Sequence, residues 1–171
     1  MEQGKWRRYF RWLGLSAALV VADALSKLAA ASWLELYRPW RVTSWFNLTL
    51  AHNRGAAFSF LSDAGGWQRW FFSITAALVS VLLLVWLWQT PHNARRQAIG
   101  IALVLGGALG NLSDRLRLGY VIDFIDLHYA GWHWPAFNLA DSAITLGVIL
   151  LLIESLLPDK APSRSSRKRC I

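Results

Sequence analysis

Two aspartates in the second half of the chain stand where a solvated acid is not expected. Asp123 lies in an apolar, strand-like stretch, and Asp141 lies near the start of an apolar run, three residues after Asn138. Two carboxylates about 3 Å apart cannot both ionise readily, so one keeps a proton while the other acts as a base on water. A converging pair would therefore suit aspartic hydrolysis. Each acid alone also has a structural explanation, as a loop acid or as a helix N-terminal acid favoured by the helix dipole.

A third acid and a lysine lie inside the first apolar run. Asp23 and Lys27 are four residues apart, so on a helix they share a face and can form an ion pair. An ionisable side chain inside a membrane span costs at least about 2.5 kcal/mol, so each one requires a partner or a role. This pair either neutralises itself so that the helix can pack, or braces a site nearby.

The third apolar run ends in a mixture of small and polar residues. Gly106 and Gly110 form a small-xxx-small pattern, which allows two helices to approach closely. Asn111 and Arg115 fall on one helix face, and Asp114 is adjacent to Arg115. On its own, this segment is explained equally by a helix-packing face with a polar cap.

Other kinds of catalytic or metal site have weaker signals. Asp126, His128 and His133 could bind zinc in a loop, but the four histidines of the chain lack the His-Glu-x-x-His spacing. The sequence also lacks a Gly-x-Ser-x-Gly motif. The single cysteine, Cys170, lies in a basic tail and is not expected to act as a nucleophile. We therefore expect neither a metal nor a cofactor.

The composition indicates which elements position these side chains. Of the 171 residues, 55% are hydrophobic and 16% are charged, which argues against a disordered chain and against an ordinary soluble domain. A helix needs about 20 residues to cross a hydrocarbon core about 30 Å thick. Four apolar runs are expected to be spans of one membrane-embedded domain, residues 1–157. They cover about 13–31, 70–88, 98–117 and 136–157.

The basic residues predict the orientation of these spans. Eleven of the 18 Lys and Arg residues lie in the three segments that four spans would place on one side of the membrane. By the positive-inside rule that side is cytoplasmic, so both termini are cytoplasmic and residues 32–69 and 118–135 face outward. Because the positive charge follows this topology, we expect no nucleic-acid partner. The eleven residues are Lys5, Arg7, Arg8, Arg11, Arg95, Arg96, Lys160, Arg164, Arg167, Lys168 and Arg169.

Three shorter segments complete the prediction. Residues 42–50 are β-branched and aromatic, which favours a short strand, and residues 51–55 have turn chemistry that should end it. Ala29-Ala30-Ala31 resembles a signal-peptide cleavage site, but Asp23 and Lys27 precede it, so we expect the first run to be retained as a span. Residues 158–171 are expected to form a disordered basic tail that can contact anionic lipid.

Five separated blocks of sequence together resemble one family, the bacterial lipoprotein signal peptidases (signal peptidase II). The resemblance covers about residues 12–157, and each block alone is a weak signal. The blocks are Asp23-x-x-x-Lys27, Asn53-Arg54-Gly55-Ala56-Ala57-Phe58, Gly106-Gly107-x-x-Gly110-Asn111-x-x-Asp114-Arg115, Val121-x-Asp123-Phe124 and Phe137-Asn138-x-Ala140-Asp141.

The resemblance implies a fold, an activity and a set of site residues. The fold would be an all-α membrane protein with four transmembrane helices, a small periplasmic β-cradle and a short periplasmic helix, the last two within residues 33–66. The protein would be an aspartic endopeptidase of the bacterial inner membrane, active near the periplasmic face, with Asp123 and Asp141 as the catalytic pair. Its supporting residues would be Asp23, Lys27, Asn53, Gly55, Asn111, Asp114, Arg115, Asn138 and Ala140.

The same resemblance implies the partners. The substrate would be a diacylglyceryl-modified prolipoprotein, cut just before the lipid-bearing cysteine, and cyclic peptides of the globomycin type would inhibit the reaction. The protein would act as a monomer in contact with membrane lipid. Two other classes remain open at this point: a four-span transporter or channel that uses intramembrane Asp, Asn and Lys, and a non-catalytic chaperone for lipidated proteins.

Overall fold

A computed structural model describes residues 2–55 and 66–156, and in these residues four long helices accompany a small antiparallel sheet. The helices are α1 (Glu2–Trp33), α2 (Trp67–Gln89), α3 (Arg95–Arg117) and α4 (Leu139–Leu156). The strands are β1 (Trp40–Arg41), β2 (Phe46–Asn53), β3 (Val121–Tyr129) and β4 (Trp132–His133). All four helices are long and apolar enough to cross a membrane, which confirms the predicted four-span architecture with a small sheet.

Helix α3 is the central helix and packs against each of the other three. Half of its span is buried inside the protein, whereas at most 22% of the corresponding span is buried in α1, α2 or α4. Leucines of α2 and aliphatic residues of α3 form the apolar core on one side, represented by Leu83, Leu87, Ile101 and Leu105. The outer faces of α2 and α4 expose large apolar side chains, as expected for helices that face lipid.

Glycines allow α3 and α4 to pack backbone against backbone. A Cβ on Gly107 would collide with the carbonyl oxygen of Ala140, and a Cβ on Gly147 would lie 2.7 Å from the carbonyl oxygen of Gly100. A Cβ on Gly106 would lie 3.0 Å from the carbonyl oxygen of Ser16 in α1. The predicted close-approach face of Gly106 and Gly110 therefore packs mainly against α1, and a second glycine face that was not predicted, Gly100 and Gly107, packs against α4.

The sheet has the order β1-β2-β3-β4 with antiparallel neighbours, and it joins segments distant in sequence. The pairing of β2 with β3 aligns Ala51 with Asp123 and Asn53 with Val121, after a bulge between Leu48 and Ala51. The expected turn at residues 51–55 is therefore wrong for its first three residues, which continue β2 because β3 supplies their hydrogen-bonding partners.

Some element bounds differ from those expected. Helix α1 begins eleven residues before residue 13, because the basic, aromatic segment before the apolar run is also helical. Helix α4 begins at Leu139 rather than at 136, because Phe137 still bonds to Ile125 of β3 through its backbone. The predicted short periplasmic helix and the basic tail 158–171 remain predictions. None of the described residues between α1 and α2 is helical, and residues 56–65 and 157–171 lie outside the described residues.

Candidate active site

Asp123 is held near the start of β3 by two side-chain amides. Asn53, the last residue of β2, donates through Nδ2 to Asp123 Oδ2 at 3.0 Å, and Asn138 donates through Nδ2 to Asp123 Oδ1 at 2.7 Å. Asp123 itself is 2% exposed. The first three residues of β3, Val121, Ile122 and Asp123, are all buried. The strand-like stretch predicted around Asp123 is thus a strand that carries a buried acid.

Asp141 occupies the first turn of α4 and closes a capping box with Asn138. The backbone N–H of Asp141 donates to Asn138 Oδ1 at 2.9 Å, and the backbone N–H of Asn138 donates to Asp141 Oδ2 at 3.2 Å. This reciprocal arrangement satisfies donors at the helix start that would otherwise be unpaired. The structural explanation of Asp141 as a helix N-terminal acid is therefore also correct.

Asn138 brings the two acids together, because both carboxylates hydrogen-bond to it. Asn111 of α3 completes the connection from the other side: its Nδ2 donates to Asp141 Oδ1 at 2.8 Å. The Asn111 Oδ1 atom lies 3.2 Å from Asn138 Nδ2. Asn138 is fully buried and Asn111 is 7% exposed, so the amides link the acids with little competition from water.

Lys27 anchors this polar group to α1 and α3. Its Nζ lies 2.7 Å from Asp23 Oδ2, 2.8 Å from Asp114 Oδ2 and 3.0 Å from Asn111 Oδ1. Lys27 is 2% exposed, and an ammonium has three protons, so these three acceptors match its donors. The predicted Asp23–Lys27 pair is present, and it continues into Asn111, which contacts Asp141.

Asp23 also fixes the start of α4 from another helix. Its Oδ1 accepts the backbone N–H of Ala140 at 2.9 Å, so a carboxylate of α1 caps α4. A Cβ on Gly110 would lie 2.7 Å from Asp23 Oδ2, so the glycine leaves room for this carboxylate. Ala140 is fully buried, and it contributes its backbone N–H and a side chain small enough for the α3–α4 contact.

Arg115 connects α3 to the segment that follows β2. Its Nη2 donates to the carbonyl oxygen of Gly55 at 3.3 Å, and its guanidinium lies over the ring of Phe72, 5.3 Å from the centroid. The backbone N–H of Gly55 in turn donates to Asn53 Oδ1 at 3.0 Å. Arg115 and Gly55 therefore hold Asn53 in the orientation that presents its Nδ2 to Asp123.

Burial changes the acid strength of Asp123. Removal from water, and to a lesser extent the nearby charge of Asp141, together raise the pKa of this carboxyl from 3.8 to about 7. The hydrogen bonds from Asn53 and Asn138 oppose this shift, but they do not overcome it. Near neutral pH, Asp123 is thus able to hold a proton, which most surface aspartates are not.

A cavity of about 650 Å³ opens beside the acids. Its polar wall includes Asp141, Asn53, Asn111 and Arg115, and Asp123 adjoins this wall through its hydrogen bond with Asn53. The remaining wall is mostly apolar and comes from β3, the β4–α4 connection and α4. Those lining residues are Val121, Leu127, Trp134, Pro135, Ala136, Phe137, Ser142, Ile144, Thr145 and Leu146.

The structure brings every predicted site residue into this one region, and it adds others that sequence reasoning missed. Arg69 of α2 donates to the carbonyl oxygens of Arg115 and Leu116, each at 2.8 Å, and so caps the end of α3. The spacing Asn138-x-x-Asp141 is itself a capping-box pattern, and it could have placed the start of α4. No sequence pattern indicated that Trp134 and Phe137 would line a cavity, because their positions depend on how β3 and β4 fold.

The histidines considered for zinc lie elsewhere on the sheet. His133 Nδ1 lies 2.8 Å from Asp126 Oδ1, and Asn47 donates through Nδ2 to Asp126 Oδ2 at 2.8 Å. His128 Nε2 lies 3.2 Å from Asn47 Oδ1. Within residues 2–55 and 66–156 no group of three or more His, Cys, Asp or Glu side chains is arranged to hold a metal ion. The contacts among Asn47, Asp126, His128 and His133 instead connect β2, β3 and β4.

Known proteins resemble this chain over most of its length. The family model for signal peptidase (SPase) II matches residues 15–157. A lipoprotein signal peptidase of Teredinibacter turnerae is 50% identical over 158 residues, which cover 92% of this chain and 94% of that protein. A lipoprotein signal peptidase of Acinetobacter baumannii is 54% identical over 155 residues, which cover 91% and 88%.

Solved structures agree with these sequence matches. One bacterial membrane enzyme, solved at 2.3 Å by the in meso method, has a TM-score of 0.77 and 30% identity and covers 94% of each chain. A second bacterial membrane enzyme has a TM-score of 0.73 and 32% identity, covering 85% of this chain and 92% of that one. The chain therefore belongs to the signal peptidase II family and is a multi-pass bacterial membrane peptidase.

Proposed function

We propose that this protein is an aspartic endopeptidase that removes the signal peptide from diacylglyceryl-modified prolipoproteins, with Asp123 and Asp141 as its catalytic residues. Family membership supports the peptidase activity and the class of substrate. It does not favour the alternative of a four-span transporter or channel. The aspartic mechanism rests on one observation: two acids, from β3 and α4, both hydrogen-bond to Asn138 beside an otherwise largely apolar cavity.

The environments of the two acids suggest different roles. Asp141 lines the cavity and accepts hydrogen bonds from Asn111 and from the backbone of Asn138, which fixes its carboxylate for use as the base. Asp123 is buried, and its raised pKa favours the protonated form near neutral pH. We assign Asp123 as the acid and Asp141 as the base, which divides the pair by environment.

The reaction then proceeds in two steps. Asp141 removes a proton from water as the water oxygen bonds to the scissile carbonyl carbon, and the proton of Asp123 hydrogen-bonds the developing oxyanion. In the second step the carbon–nitrogen bond breaks, and Asp141 returns its proton to the leaving amine of the lipid-bearing cysteine. Each turnover consumes one water and leaves both acids in their starting protonation states.

The walls of the cavity fit a lipid-anchored substrate. Its apolar side includes Ile144 and Leu146 of α4, and Leu146 is 59% exposed on the face that meets lipid. Acyl chains lying along this face would keep the modified cysteine at the height of Asp141, near the start of the helix. Trp134 and Phe137 would bound the peptide on the side of the sheet. Cyclic peptides of the globomycin type would compete for the same cavity.

Cleavage of a purified precursor tests this proposal. The full chain in detergent is incubated with a diacylglyceryl-modified precursor, and loss of the signal peptide is followed by mass spectrometry. Asp123→Asn and Asp141→Asn should each lower the cleavage rate by about a thousandfold, because general acid–base groups contribute about that much. Asp126→Asn is the matched control, since it alters another buried acid of β3 that bonds to Asn47 and His133 instead.

The outcomes separate the functional classes. Cleavage by the unmodified chain and by Asp126→Asn, with both other variants inactive yet still binding the precursor, supports the assignment. Retained turnover in Asp123→Asn or Asp141→Asn would remove that residue from the catalytic pair. Binding of the precursor without cleavage by the unmodified chain would instead indicate a chaperone.

We further propose that the protein acts as a monomer with the cavity at the periplasmic side of the inner membrane. The sheet and the starts of β3 and α4 lie at one end of the helices, while the α2–α3 connection lies at the other. Of the basic residues that support this orientation, Arg95 and Arg96 are the first two residues of α3, directly after that connection. Size-exclusion chromatography with light scattering in detergent tests the monomer.

A further inference from the structure

A second pocket lies at the end of the helices opposite the candidate active site. It has a volume of about 170 Å³ and is formed by the first turns of α1, the α2–α3 connection and the start of α3. Three arginines and a histidine contribute to its wall: Arg8, Arg11, His92 and Arg95. No acidic residue among the described ones lines it. The pocket is therefore strongly positive, and its charge is not neutralised by its own walls.

The backbone adds to this positive charge. Helix α3 begins here after Ala94, which offers no side-chain acceptor to the first N–H groups of the helix. Those groups and the helix dipole favour an anion at this position. Arg8 is already anchored, since its Nη2 donates to the carbonyl oxygen of Thr90 at 2.8 Å. Arg11 and Arg95 are exposed, so their guanidinium groups remain accessible to an oxyanion such as a phosphate.

Neighbouring aromatic side chains place the pocket at the depth of lipid headgroups. Trp6, Tyr9 and Phe10 of α1 contact one another, and Trp6 and Tyr9 also contact Trp88 of α2, with ring centroids 4.6 and 5.2 Å apart. Aromatic residues of this kind mark the membrane–water interface. Basic pockets between spans at this depth suit lipid phosphates.

We propose that this pocket binds the phosphate group of an anionic phospholipid and thereby ties α1 to the α2–α3 connection. Zwitterionic lipids carry the same phosphate together with a cationic group, which the arginines would repel, so the site selects anionic headgroups. The inference does not depend on the catalytic pair, which lies at the other end of the helices. Failure of one proposal therefore leaves the other intact.

Native mass spectrometry of the purified full chain tests the proposal directly. The chain is equilibrated in detergent with phosphatidylglycerol or with phosphatidylcholine of the same acyl chains. One phosphatidylglycerol should be retained per chain, with a preference of about tenfold or more over phosphatidylcholine, because each basic side chain near a lipid phosphate contributes to the difference. Equal retention of both lipids would overturn the proposal.

Matched variants separate the pocket from the general positive charge of this end. The triple variant Arg8→Gln, Arg11→Gln, Arg95→Gln should lose the preference. The control Lys5→Gln, Arg7→Gln, Arg96→Gln removes the same charge from the same end but leaves the pocket wall unchanged, so it should keep the preference. An equal loss in both triples would show diffuse attraction only and would contradict the proposal.

Chemical labelling of the unmodified chain avoids any effect of substitution on folding. Phenylglyoxal modifies accessible arginines, and phosphatidylglycerol should slow its reaction at Arg11 and Arg95 but not at Arg7, which is exposed outside the pocket. Inorganic phosphate is added in a parallel sample without lipid. Protection by inorganic phosphate but not by phosphatidylglycerol would identify a soluble anion as the ligand and overturn the lipid assignment.

Discussion

Asn138 combines three structural tasks in one side chain and its backbone. Its Oδ1 caps α4, its Nδ2 donates to Asp123, and its backbone N–H donates to Asp141. The residue is fully buried, so a polar group that loses Asn138 as its hydrogen-bonding partner would have no water to replace it. Asparagine is suited to this position because its side chain supplies both an acceptor and donors.

Substitutions of Asn138 should separate the cap from the link to Asp123. Asn138→Ala loses both and should lower the free energy of unfolding by about 1–2 kcal/mol, the usual range for a lost helix cap. Asn138→Ser retains a capping oxygen but lacks an amide to reach Asp123. We expect the serine variant to recover much of the stability lost in the alanine variant while cleavage stays strongly reduced.

Thermal unfolding in detergent and the cleavage assay together check this expectation. The cleavage rate is resolved into kcat and KM, since a positioning role should mainly lower kcat. Equal cleavage rates in the serine variant and the unmodified protein would show that Asn138 acts on α4 alone.

The buried carboxyl of Asp123 should also make stability depend on pH. Its pKa is raised from 3.8 in the unfolded chain to about 7 in the folded protein, so between these values the folded state holds one more proton. The free energy of unfolding therefore falls as pH rises from about 4 to about 7, since the unfolded state binds fewer protons. Asp123→Asn cannot titrate and should lose this component.

Unfolding midpoints of the two proteins, measured from about pH 4 to about pH 8, check the sign. The midpoint of Asp123→Asn, relative to that of the unmodified protein, should rise across this interval. If the unfolding midpoints of the two proteins change in parallel with pH, the Asp123 carboxyl is not the source of this pH dependence. The comparison uses the change with pH because the substitution also alters hydrogen bonds with Asn53 and Asn138 at every pH.

At the scale of elements, α3 positions the site because its glycines allow α1 and α4 to approach its backbone. Gly107 faces Ala140 at the start of α4, directly beside Asp141, whereas Gly110 faces Asp23 of α1. The distance between the acids thus depends on a helix–helix contact as well as on the residues that bond to them.

Gly107→Ala should move the start of α4 away from α3. The added methyl group would collide with the backbone at Ala140, and overpacking of this kind costs about 1–3 kcal/mol. Cleavage should fall further than stability alone explains, because Asp141 moves with α4. Gly14→Ala in α1 is the matched control, since its Cβ would meet no atom within 4 Å. Full activity in Gly107→Ala, measured with the same precursor, would contradict this role for α3.

The local patterns predicted most elements but not their pairing. The length of the apolar runs was enough to predict the four helices. Ionisable residues inside those runs, such as Lys27, indicated that polar partners must lie among the helices. The pairing of β2 with β3 joins residues about 70 positions apart, and it is what extends β2 to Asn53. Since such contacts depend on the folded chain rather than on neighbours in sequence, no local pattern around Asn53 indicated them.

For the whole molecule, the distribution of charge is the property that predicts its orientation in the membrane. Helix α3 begins with Arg95 and Arg96 directly after the α2–α3 connection, and Arg95 shares a pocket wall with Arg8 and Arg11 of α1. The segment between α1 and β1 also contains a basic residue, Arg38. Its guanidinium forms an ion pair with Glu35 at 2.7 Å. The positive-inside rule counts basic residues whether or not they pair with acids, and it predicts that the α2–α3 connection is cytoplasmic.

Cysteine labelling in intact cells checks this orientation. The single natural cysteine is first replaced by Cys170→Ser, and a new cysteine is introduced as Arg38→Cys or Asn93→Cys, both at exposed positions at opposite ends of the helices. A membrane-impermeant maleimide that passes the outer membrane should label Arg38→Cys without disruption of the inner membrane, because that segment is predicted to face the periplasm. Asn93→Cys should be labelled only after the inner membrane is permeabilised. The reverse pattern would place the cavity and its two acids on the cytoplasmic side, where a precursor exported before lipid modification could not reach them.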